Sequence, residues 1–64
     1  MTMIIYRYNE IIDLNELDDD ELYRFTKDVI DCLHYADSAN ITEDVEVESE
    51  VLDGLLEYLI YRRR

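Results

Sequence analysis

The segment Leu17-Asp18-Asp19-Asp20-Glu21-Leu22 constrains this chain more than any other. The first turn of a helix leaves backbone N–H groups without partners, and an Asp side chain just before it can accept from them. An acid three residues later can accept in return from the cap N–H, and Asp18 and Glu21 have that spacing. Leu17 and Leu22 stand where a hydrophobic staple would close over the entry. Asp19 and Asp20 sit at the positive end of the helix dipole. Behind them Leu22, Phe25, Val29, Cys32, Leu33 and Ala36 recur on one side at about 100° per residue. These signals predict a helix from about Asp18 to Ala36. Its outer face mixes signs: Asp20 with Arg24, Arg24 with Asp28, and Lys27 with Asp31 are all i,i+4 pairs.

A second helix is expected toward the C-terminus through Val51, Leu52, Leu55, Leu56 and Leu59. Asn40, Thr42 or Ser49 could cap it. A start near residue 42 turns Glu48 into the middle of the apolar face, where an unpaired acid is costly. A start at Ser49 frees residues 43–48 for a short strand, suggested by the alternation of Val45 and Val47. An isolated strand is marginal in water, so the reading here is the long helix with a frayed first turn or two. Near the N-terminus, Ile4, Ile5, Tyr8, Ile11 and Ile12 fall within about 120° of a helical wheel, which favours a third helix. The run Ile4-Ile5-Tyr6-Arg7-Tyr8 also has high strand propensity. The expected fold is therefore mainly α, a compact bundle of two long helices plus an N-terminal helix. An α+β fold with a short N-terminal strand is the alternative. The expected core is Leu22, Phe25, Val29, Leu33, Leu52, Leu55 and Leu59.

Sixty-four residues make a single domain, 1–64, too small for a deep substrate cavity. An apolar fraction of 48% nevertheless supports a core. One Cys, one His, one Gly and no Pro exclude a disulfide framework, a zinc site built from several Cys and His, and a glycine-rich phosphate loop. Asp18–Glu21 is acid-rich, but an EF-hand loop begun there would carry Tyr23 and Val29 where it needs Gly and an acid. No apolar run approaches the roughly 20 residues of a membrane span.

Charge is the strongest compositional signal: 17 acidic residues against 6 basic, net −11. On the second helix Glu43, Glu46, Glu50, Asp53 and Glu57 share one face, opposite Val51, Leu52, Leu55 and Leu59. At 1.5 Å per residue the row is about 21 Å long. No basic residue interrupts it, and like charges three or four residues apart repel. A row of acids keeps a small protein soluble. Though sparser than the phosphates of B-DNA, which present a charge about every 3.4 Å along a strand, it can also occupy the same basic groove of a nucleic-acid-binding protein. The five acids are the candidate partner-binding residues.

Catalytic, cofactor-binding and metal-ligating residues are not expected. His34 falls on the polar side of the first helix with no nucleophile evident beside it. Cys32 lies on the apolar stripe and is expected to pack as a small hydrophobe. The six tyrosines are expected at the rim of the core, some of them in an interface. Arg62, Arg63 and Arg64 suit a helix C-terminus.

Small size, strong acidity, abundant Tyr and Ile, and the absence of catalytic motifs resemble the inhibitors carried by bacteriophages and mobile elements. Anti-CRISPR and anti-restriction proteins are the best known of these, and several act as DNA mimics. The resemblance is one of type and assigns no residue. It implies a non-enzymatic inhibitor without cofactors, present in the cytoplasm of the host cell. Its partner would be a basic nucleic-acid-binding protein of host defence; the chain itself would touch neither nucleic acid nor membrane, and would be a monomer or a small homo-oligomer. The alternative is a small acidic interaction module, such as an antitoxin or regulatory adaptor, held by apolar and tyrosine contacts.

Overall fold

The computed structural model describes residues 3–62. The order is β1 (Ile4–Arg7), β2 (Glu10–Asp13), a single 3-10 turn at Leu14–Glu16, α1 (Asp19–Ser38) and α2 (Thr42–Arg62). The fold is mainly α, with two long helices as expected.

The helix α1 begins as its capping residues dictate. Glu21 N–H donates to Asp18 Oδ1 at 2.7 Å, and Asp18 N–H donates to Glu21 Oε1 at 3.2 Å. It ends at a Schellman motif: Ile41 N–H reaches the Ala36 carbonyl at 2.9 Å and Asn40 N–H the Asp37 carbonyl at 3.3 Å. Asn40 takes the left-handed conformation this closure needs, φ 60°. Asn40 thus ends α1, while Val45 N–H bonding to the Ile41 carbonyl at 3.1 Å closes α2 from its first turn. Residues 43–48 are neither strand nor frayed. The short connection makes the two helices antiparallel neighbours. At the far end Arg62 of α2 meets Asp19 of α1 at 2.9 Å; Arg63 and Arg64 lie outside the described residues.

The N-terminal helix is not formed; a β-hairpin stands in its place. Strands β1 and β2 are antiparallel, with Ile5 opposite Ile12, Tyr6 opposite Ile11 and Arg7 opposite Glu10. Tyr8 and Asn9 form the two-residue turn, and Tyr8 adopts φ 55°, a region that two-residue hairpins usually give to Gly, Asn or Asp. The second strand is the four-residue segment Glu10-Ile11-Ile12-Asp13. The isoleucines share one face at a period of 3.6, whereas a strand splits each adjacent pair between two faces. The pleat decides, because it puts Ile5 and Ile12 on the helices and leaves Tyr6 and Ile11 exposed.

The core is Ile5, Leu14, Leu22, Val29, Val51, Leu55 and Tyr58, with Phe25, Leu52 and Leu59 packed half-buried around it. Leu33 is half-buried and outside this cluster. The hairpin draws the inner face of α2 toward Val51 and Tyr58. A Cβ placed on Gly54 would stand 3.2 Å from Ile5 Cδ1, so the only glycine lies where β1 rests on α2. Leu14 in the 3-10 turn is fully buried.

Candidate interaction surfaces

The five acids expected on one face of α2 are all exposed: Glu43, Glu46, Glu50, Asp53 and Glu57. None makes an ion pair among the described residues. The surface of α1 differs. Asp20 pairs with Arg24 at 3.7 Å, Asp19 with Arg62, and Asp28 with Arg7 at 2.8 Å. The expected pairs Arg24–Asp28 and Lys27–Asp31 are not among the ion pairs of the described residues; Asp28 is held instead by Arg7 of the hairpin. Exposed apolar side chains border the acidic row. By helical position Leu56 and Ile60 flank one side, and both are exposed. On the other, Ile4 and Tyr6 of β1 share a shallow depression with Glu50 and Gly54.

The second feature lies on the opposite side of α2. Glu48 is 1% exposed, the only buried charged side chain among the described residues. Its Oε1 accepts from Arg7 Nε at 3.0 Å, while Arg7 Nη1 donates to Asp28. The guanidinium also lies 5.6 Å from the centroid of the Phe25 ring. One arginine thereby ties the hairpin to both helices. Burial alone would lower the Arg7 pKa; the hydrogen bonds to Glu48 and Asp28, with their charges, more than offset it and raise it above the ordinary value. Glu48 Oε2 is left buried without a hydrogen-bond partner. A polar atom in that state costs about 1–3 kcal/mol, more when charged.

Beside this pair is an open hollow of about 280 Å³ between the hairpin turn, α1 and α2. Arg7 and Glu48 line its buried end, and Tyr8, Asp31, Tyr35 and Asp44 its more exposed walls. Desolvation and a hydrogen bond to Asp44 push the Tyr8 phenol up to about 12. Cys32 is half-buried on the wall of the same hollow. His34 is exposed on α1. Sequence reasoning placed the outer acids but gave Arg7 no role, and put Tyr8 on the apolar face of an N-terminal helix. The one signal was Glu48, an acid in the middle of an apolar face, which required a cation from elsewhere in the chain.

Among the described residues no helix is long and apolar enough to cross a membrane. No protein-family model, curated protein or solved structure matches the chain.

Proposed function

We propose that the chain is a non-enzymatic inhibitor whose α2 presents Glu43, Glu46, Glu50, Asp53 and Glu57 to a basic nucleic-acid-binding surface of a host defence protein, of CRISPR-Cas or restriction type. The observation that carries this reading is that the whole row is exposed and free of ion pairs among the described residues, whereas acids on α1 are partly neutralised. A row left without partners keeps its charge for a row of Lys and Arg on another protein. In mechanism, the acids occupy sites that phosphates would take, nucleic acid is excluded, and no bond is made or broken.

The test is a DNA-cleavage and DNA-binding assay of CRISPR effector and restriction nucleases, with and without this protein. Inhibition should be competed by DNA and should weaken as salt rises. The triple variant Glu46→Lys, Glu50→Lys and Asp53→Lys should abolish it, because removing one partner of a charge pair desolvated at an interface costs about 2–5 kcal/mol. The control Glu16→Lys, Asp20→Lys and Asp37→Lys makes the same change in net charge away from the row and should retain inhibition. Equal loss from both sets, or inhibition that DNA does not compete, refutes the reading.

The exposed Leu56, Ile60, Ile4 and Tyr6 beside the row support a second reading, an interaction module of the antitoxin or adaptor kind. Apolar contacts of that type are weakly salt-dependent. A complex that survives high salt but is lost on Leu56→Ser and Ile60→Ser belongs to this second reading.

A further inference from the structure

We infer that the hollow between the hairpin turn, α1 and α2 is a receptor for a guanidinium group, presented as an arginine side chain. Three carboxylates, Asp31, Asp44 and Glu48, line it against one cation, Arg7. That cation is already engaged, with Glu48 through Nε and with Asp28 through Nη1. The lining therefore carries an excess of negative charge, and Glu48, which lines it, has an oxygen, Oε2, that is buried and has no partner. This is an independent sign of a missing donor.

The size and composition narrow the occupant. About 280 Å³ lies at the lower limit of ligand pockets and suits a side chain better than a nucleotide or prosthetic group. Among the described residues no three His, Cys, Asp or Glu come together as metal ligands, which favours an organic cation. Tyr8 and Tyr35 stand at the walls, with relative exposures of 58% and 69%, so aromatic faces are available beside the carboxylates. A planar guanidinium can donate to two acceptors at once and stack on a ring, which a compact ammonium does less well. The molecule already holds guanidinium groups this way twice. Arg7 pairs with Glu48 and lies over Phe25; Arg62 pairs with Asp19 and lies 5.7 Å from the centroid of Tyr58. The hollow repeats the combination of carboxylate and ring, with the cation still to come. On α2 it lies away from the outer acidic row, so it acts independently of the function proposed above.

The test is a heteronuclear NMR titration of the intact protein with N-acetyl-arginine amide, run beside N-acetyl-lysine amide and free arginine. The expected result is saturable shifts at Tyr8, Asp31, Tyr35, Asp44 and Glu48, with tighter binding of the arginine amide than of the lysine amide. Free arginine as the tighter ligand would reassign the hollow to a metabolite and overturn the side-chain assignment. Asp44→Asn and Tyr35→Ala, neither of them in the core, should each weaken binding at least fivefold. Glu48→Gln should weaken it too, with circular dichroism to confirm the fold. The triple reversal of Glu46, Glu50 and Asp53 should leave the arginine affinity within about twofold. Shifts that do not saturate or that spread along the outer row, equal response to both amides, or unchanged affinity in Asp44→Asn and Tyr35→Ala would overturn the proposal.

Discussion

Glu48 and Glu50 are two residues apart on one helix and live in opposite worlds. Glu48 is enclosed and bonded, across 41 residues of sequence, to Arg7, whose guanidinium joins three elements. Glu50 is exposed, belongs to an unbroken row of acids, and has no ion pair among the described residues. The difference is environment, not chemistry. Inside, a carboxylate is tolerable only with a charge partner in place, and removing that partner is more harmful than never having had the pair. Outside, water stabilises each carboxylate, and its neighbours repel it only weakly. Inner charge therefore bears on stability, while outer charge costs the fold little.

The largest expected effect breaks the inner pair. Arg7→Met leaves Glu48 buried without its cation and should cost about 3–5 kcal/mol. A chain of this length has on the order of 3–10 kcal/mol in total. The double variant Arg7→Met, Glu48→Leu should recover most of the loss, because well-packed apolar replacements of buried pairs are often neutral or stabilising. Chemical denaturation of the single and double variants measures both. A loss below about 1 kcal/mol in Arg7→Met would mean that the pair behaves as a surface pair does.

An exposed pair sharpens the contrast. Arg62→Ala removes the contacts with Tyr58 and with Asp19, whose side chain is 89% exposed, and should cost far less than Arg7→Met in the same denaturation experiment. Smaller still, and opposite in sign, is Glu50→Lys. It replaces repulsion from Glu46 and Asp53 by attraction and should raise stability by a few tenths of a kcal/mol. The gain should shrink in high salt. Thermal melts at low and high salt check it.

The smallest effect concerns Tyr8. Its phenol is held protonated in the fold, with its pKa raised from 10.0 to about 12. Folding is favoured by this group below about pH 10 and the benefit is lost as pH rises from 10 toward 12, where the unfolded phenol ionises first. A spectrophotometric titration should show one tyrosine ionising late, and Tyr8→Phe should remove that step together with its share of the alkaline stability loss.

How much of this was legible in the linear chain depends on the range of the interactions. The start of α1 was legible because Asp18, Glu21, Leu17 and Leu22 act within five residues of one another. The exposure of the acidic row was legible too, since α2 needs only its own 3.6-residue period to place Glu43, Glu46, Glu50, Asp53 and Glu57 away from Val51 and Leu55. The closing role of Asn40 escaped notice because the same residue type serves helix starts and left-handed helix ends.

The remainder was decided in three dimensions. Ile4, Ile5, Ile11 and Ile12 fit a helix by period and a strand by propensity, and the choice fell to the partners available to each face. Ile5 found Gly54, Ile12 the core, and Arg7 found Glu48 and Asp28. Leu14, in the 3-10 turn between β2 and α1, became one of the most buried side chains because the hairpin and both helices close around it. Local capping and periodicity determined the two helices and the outer charge. Long-range packing decided the hairpin, the inner face of α2 and the hollow, because an acid in an apolar face can announce that it needs a cation but not which residue will supply it.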